Sequence, residues 1–188
     1  MQWSKLKKTV EALFAPSVAG RVELRFTNYR HVHDGEGRGW ITVDKTEIHQ
    51  FSTLEYYVES YKLASAIREI NESSNFRDPE QRPGYLEASD QADDILLAQG
   101  IASQWWYVRS LQDYLQLSID DALASENFLH RALAVLDRRL GKRRLKLLRL
   151  PSTEHGLVRR LLQVRLEAEG LTVRDASPNP SLQRTPPG

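Results

Sequence analysis

Between Arg21 and Phe51 the apolar residues recur at every second position, while before and after that stretch they recur at every third or fourth. Side chains share a face every second residue on a strand and about every 3.6 residues on a helix. The switch and its reversal therefore restrict the chain to a small sheet enclosed by helices. Val22, Leu24 and Phe26 alternate with Glu23, Arg25 and Thr27, which predicts a strand with one buried face. Asp34-Gly35 and two further glycines predict a hairpin loop over 31–39. Trp40 to Val43 reads as a second strand, Asp44-Lys45-Thr46 as a tight turn, and Glu47 to Phe51 as a third strand.

Helices flank this stretch. Trp3, Leu6, Val10 and Leu13 predict a short amphipathic helix that stops near Ala15-Pro16, since proline disfavours helix at the residue before it. Ser52 to Glu55 has capping-box spacing and opens a helix to about Ser73, with Tyr57, Tyr61, Ala64 and Ile67 on one side. A connection over 74–84, rich in Asn, Asp and Pro, precedes an all-helical half. There Gly100 and Gly170 suit left-handed stops, and Ser103 and Ser118 suit N-caps. Leu129, Leu133, Leu136, Leu140 and Leu147 form a seam that predicts one long helix, ended or bent at Gly141. A last helix is expected over about 153–168. The fold class is α+β: an α-β-β-β-α lobe over 1–73, the connection, and about four helices packed on it over 85–174. Residues 175–188, which carry four of the eight prolines, are expected to be a disordered tail.

With 26 basic and 25 acidic residues the net charge is +1, which excludes a uniformly basic nucleic-acid coat. There are no cysteines, so disulfides, thiolate metal sites and Cys nucleophiles are excluded together. No apolar run approaches the ~20 residues of a membrane span, and the start lacks a signal-peptide layout. A cytoplasmic chain without membrane association is expected. The charges are segregated: 86–127 holds eight acids and one base, and 128–174 holds twelve bases and four acids. Either the two blocks pair, or the basic face meets an anionic partner. On a continuous helix Arg139, Lys142, Arg143 and Lys146 would share one flank, the candidate nucleic-acid or polyanion surface. Trp105, Trp106 and Tyr107 are consecutive and cannot all face one core, so at least one is expected at a second surface.

Signs of catalysis are sparse. The chain has no nucleophile elbow, P-loop or dinucleotide fingerprint. The helix–three strands–helix order is shared by double-stranded RNA-binding domains, which grip phosphate with a basic second helix; here that position holds Glu55 and Glu59. Asp44 followed by Glu47-Ile48-His49 approximates the acidic pattern of restriction-endonuclease-like cores, with His where Lys belongs. His31 and His33 beside Asp34 have the spacing of two metal ligands on a strand, without a second paired motif to complete a site. No metal site and no cofactor is assigned. The expected role is a non-catalytic interaction protein whose partner is another protein; the alternatives are nucleic-acid binding and a metal-dependent hydrolase or nuclease.

Trp3-Ser4-Lys5-Leu6-Lys7-Lys8, Thr27-Asn28-Tyr29-Arg30, Gly39-Trp40-Ile41-Thr42-Val43-Asp44 and Leu136-Asp137-Arg138-Arg139-Leu140-Gly141-Lys142-Arg143-Arg144-Leu145 together resemble a family of small uncharacterised bacterial proteins, known by a hypothetical enterobacterial reading frame. The resemblance spans roughly residues 1–150. It implies a bacterial, cytoplasmic protein and brings no functional residues. The end, Ser181-Leu182-Gln183-Arg184-Thr185-Pro186-Pro187-Gly188, resembles a translated recombination site of an integron gene cassette.

Overall fold

The period-two stretch forms a three-stranded antiparallel sheet in the order β1-β2-β3, with β1 at Val22–Asn28, β2 at Gly37–Val43 and β3 at Thr46–Ser52. The structure, a computed structural model, describes residues 1–29 and 36–171. Leu24 pairs with Ile41, and Gly39 pairs with both Phe26 and Phe51. The β2–β3 turn places Asp44 and Lys45 at φ 49 and 69. Two left-handed residues are what a two-residue hairpin needs to match strand twist. The expected strand at 40–43 starts earlier, because Gly37 and Gly39 belong to β2 rather than to a loop. A Cβ on Gly39 would lie 2.2 Å from a Tyr107 ring carbon. The missing side chain lets a helix lie flush on the sheet.

That helix is α4 (Gln104–Tyr114). It follows α1 (Trp3–Glu11), α2 (Thr53–Ile70) and α3 (Arg82–Ala98) in the chain. Ser52 accepts from the Glu55 N–H, and Ser103 from the Trp106 N–H, so both expected N-caps form. Gly100 and Gly170 take φ +83 and +66, as their helix ends require. The fold is α+β, with helices on both sides of the sheet in sequence and further helices after it.

The long helix expected along the leucine seam does not form. It is three short ones: α5 (Ile119–Ala124), α6 (Phe128–Leu136) and α7 (Lys142–Leu147). The break sits at Asp137, which is fully buried. The Tyr114 hydroxyl donates to Asp137 Oδ2 at 2.6 Å, and Arg139 donates to the same oxygen from Nε and Nη2 at 2.9 and 2.7 Å. The other oxygen accepts from the Arg139 N–H at 2.7 Å. The backbone here also pairs with the end of α1: Ala15 N–H donates to the Leu136 carbonyl, and Arg138 N–H to that of Leu13. A buried carboxylate needs such donors, and a continuing helix would turn it away from them. Arg165 of α8 (Gly156–Ala168), itself buried, closes the region. It donates to the Leu136 and Asp137 carbonyls and to Glu169.

One apolar cluster runs through α1, the sheet and α4, α6 and α8, and includes Leu6, Leu24, Phe51, Tyr107, Leu133 and Leu161. Buried side chains of α2 and α3 (Ala64, Ala88, Ala92 and Leu96) lie outside that cluster. These two helices pair as a hairpin, and α3 packs principally on α2.

Candidate interaction surfaces

The hairpin is held by small and polar contacts. Alanines let its helices approach closely. Arg68 reaches across to the Tyr85 carbonyl and the Ser89 hydroxyl, and Ser60 donates to Asp93 at 3.0 Å. Burial and the neighbouring Asp93 together raise the Tyr56 hydroxyl above its ordinary pKa. These bonds fix which sides of α2 and α3 meet. They leave Leu54, Tyr57, Val58 and Tyr61 facing solvent, with Tyr61 73% exposed. That spacing of three, one and three residues draws one continuous stripe along a helix. Among the described residues, twelve large apolar side chains are exposed, and eight of them fall within 53–98: the stripe, Ile70, Phe76, Leu86 and Ile95. Scattered single exposures are ordinary, but a concentration on one helical hairpin marks an interaction site.

The cationic segment is split by the helix break, which overturns the single flank expected for Arg139, Lys142, Arg143 and Lys146. Arg139 is tied to buried Asp137, although its own side chain stays about a third exposed. Lys142 pairs with Glu169 at 2.6 Å, and Arg144 pairs with Asp120. Burial pushes the Glu169 carboxyl up, but Lys142 and Ser17 outweigh it and hold the pKa below its ordinary value. Arg143 and Lys146 stay exposed with no carboxylate partner among the described residues, as does Arg138 on the preceding turn. Lys142, Arg143, Arg144 and Lys146 are all open to water while Leu145 is buried. The acidic block does not cover the basic one; Arg144–Asp120 is the one ion pair between them among the described residues.

Of the three consecutive aromatics, Tyr107 is completely buried, Trp106 is partly buried against the core, and Trp105 is 53% exposed. Trp106 stacks on Phe51 and Phe128, so only Trp105 reaches a second surface.

His31, His33 and Asp34 lie outside the described residues. Asp44 pairs with Arg21 at 2.7 Å, and Glu47 pairs with Arg38, so the structure does not gather these acids around an ion. His49 faces His155 instead, with ring centres 5.5 Å apart, and His155 stacks on Phe128 at 4.0 Å. Burial, then the neighbouring His155, pushes His49 down to about 4. Burial also lowers His155, whose Nδ1 accepts from the Leu157 N–H as the N-cap of α8. Two clefts of about 400 and 330 Å³ flank the pair, one lined by Glu47, His49, Gln50 and Glu55, the other by Asp94, Glu126, Arg131 and His155. Glu55 accepts from Gln50, and Glu154 accepts from Arg131 beside His155. Glu47, Glu55 and Glu154 are thus held by their own partners, Asp94 and Glu126 have no side-chain partner among the described residues, and no nucleophile stands against either imidazole in these contacts. Among the described residues no group of three or more His, Asp or Glu is placed to hold a metal ion. No helix among them is long and apolar enough to cross a membrane.

The surface that sequence reasoning missed is the stripe on α2. Tyr57 and Tyr61 were legible as one side of a helix, but the side that meets solvent was not. His155 carried no signal at all, being one imidazole in a turn.

The model of the SF0329 protein family matches residues 2–166. The chain belongs to that family. The match covers all eleven elements of the described residues except the last two residues of α8. No curated protein and no solved structure matches the chain.

Proposed function

We propose that this SF0329 family member is a non-catalytic, cytoplasmic interaction module that receives another protein on the outer face of the α2–α3 hairpin. The observation that carries the reading is the concentration of exposed apolar side chains there, with Leu54, Tyr57, Val58 and Tyr61 in helical register. The main core is closed around its own side chains, whereas the stripe on α2 is uncovered. Tyrosine suits such a face, since its ring buries apolar area while its hydroxyl stays wet in the free protein. The test is affinity capture from the native host with the full chain and with Tyr57→Asp/Tyr61→Asp. A protein retained by the wild type and lost from the variant is expected. The same proteins on both baits, or none on either, would contradict the reading.

A second reading is supported by the open basic corner: a polyanion docks on Arg138, Arg143 and Lys146. Arg143→Glu/Lys146→Glu should then abolish binding to duplex DNA or RNA, and the wild-type affinity should fall steeply with salt as counterions are released. Binding indifferent to both would remove it.

A further inference from the structure

The basic corner extends beyond Arg138, Arg143 and Lys146. Residues 137–160 hold nine bases and two acids, a net charge of +7 in a chain whose total is +1. Both acids are buried, Asp137 against Arg139 and Glu154 against Arg131. Arg138, Arg143, Lys146, Arg149 and Arg159 are exposed and make no ion pair among the described residues. Lys142 and Arg144 are paired and still open to water. Arg160 is set apart, since its charge acts on Asp44 of the β2–β3 turn. The packing puts the others in a row. Leu145 is turned inward with Leu140 and Leu166, so α7 presents Arg143 and Lys146 outward. Lys142 meets Glu169 just past the end of α8, and Arg159, near the start of α8, donates to the Ser152 carbonyl. The segment 142–152 thus runs back along α8, and Arg143, Lys146, Arg149 and Arg159 follow one another along it. Arg149 is anchored through Nη1 to the Lys146 and Leu148 carbonyls, both at 3.1 Å, which leaves its remaining N–H groups for a ligand.

We infer that this row binds the phosphate backbone of duplex DNA without reading its base sequence. This rests on the second reading above and names its ligand. Arginine and lysine with no surface acid between them match a line of phosphates. No Phe, Tyr or Trp follows Phe128, so the face has no aromatic ring on which an unpaired base could stack. From Lys142 to Arg149 the side chains are Lys, Arg and Leu alone, without the amide and hydroxyl groups that bond adenine edges or a ribose 2′-hydroxyl. Arg149 and Arg159, tied to backbone carbonyls, lie against the surface and are held short of a groove floor. Leu147 is the one large apolar side chain exposed over 137–171, too little to insert into a lipid surface. The acidic block over 86–127 repels the same ligand and confines contact to this corner.

The probes are two DNA duplexes of unrelated sequence, each of about 20 base pairs or two helical turns, with oligo-dT and duplex RNA of the same length. Fluorescence anisotropy with the full chain should show the two duplexes binding within about twofold of each other, duplex RNA no more tightly, and oligo-dT at least about fivefold more weakly. About four phosphate contacts give a slope of roughly −4 for log affinity against log salt. Arg149→Glu/Arg159→Glu should weaken duplex binding about tenfold or more and make that slope shallower by about 2. Arg143→Glu/Lys146→Glu, at side chains that bond to nothing among the described residues, should do the same. Duplex binding that either variant retains at full strength would break the row and overturn the inference. A preference above about tenfold for one DNA sequence would show base reading and overturn it. So would oligo-dT bound as tightly as the duplex, or duplex RNA bound about tenfold more tightly. Heparin or phosphatidylserine vesicles bound while neither duplex is bound would overturn it and leave the polyanion reading standing. No binding of heparin, vesicles or duplex would remove both.

Discussion

Asp137 has no exposed surface, and its carboxylate is surrounded by donors from Tyr114 and Arg139. Tyr61 on the hairpin is an aromatic ring mostly in water. The first region buries charge and satisfies it, joining the end of α1 to α4, α6 and α8. The second leaves apolar surface uncovered on helices that share little of the main core. Buried charge with complete partners is a structural commitment, costly to break and of little use to a ligand. Uncovered apolar surface does nothing for the folded monomer and gains free energy only when something covers it. The difference separates what holds this protein together from what it offers to others.

Substitutions can break that separation, and the largest effect belongs at Asp137. Asp137→Ala strands the Tyr114 hydroxyl and part of the Arg139 guanidinium. Urea denaturation should show a loss of about 3 kcal/mol. A loss no larger than that of a surface substitution would show that the hub is not structural. Leu133→Ala, in the closed core, should cost about 2–5 kcal/mol. Tyr61→Ala should stay within about 0.5 kcal/mol by the same assay; a cost comparable to that of Leu133→Ala would make the hairpin stripe structural and end the contrast.

Smaller effects sharpen it. Gly39→Ala drives a methyl group into the Tyr107 ring and should cost about 1–3 kcal/mol, detectable as a lower urea midpoint. The histidine pair gives the pH dependence. His49 has its folded pKa depressed from 6.5 to about 4. The unfolded chain therefore binds the proton first as pH falls. Stability from neutral His49 is complete above about 6.5, declines through that window, and is lost below about 4. Urea midpoints for the wild type should fall between those values, and His49→Gln should flatten the fall. An unchanged slope in the variant would show that His49 is not responsible.

Much of this was legible from the residues. The alternation of Val22, Leu24 and Phe26 located the sheet, and Ser52, Ser103 and Ser118 marked three helix starts through their hydroxyls. These signals are local, so one sequence contains them whole. The break at Asp137 was not legible, because Leu136, Leu140 and Leu147 keep helical spacing across it although they belong to separate segments. What stops the helix is a hydrogen-bonded contact with Tyr114, which lies 23 positions away. The α2 stripe was half legible. Periodicity showed Tyr57 and Tyr61 on one side, but α2 has two apolar sides, and the contacts of Arg68 and Ser60 with α3 decide which is covered. The basic segment was legible in charge but not in shape, since Arg139 is paired with buried Asp137 while Arg143 has no carboxylate partner among the described residues.

The most direct test of the central claim is site-specific photo-cross-linking in the native host. A benzophenone amino acid would replace Tyr61 on the hairpin or, as the comparison, exposed Leu147 on α7, which is 71% accessible. The account predicts a discrete cross-linked protein from position 61 and none from position 147. Adducts from 147 alone, or no adduct from 61, would contradict it.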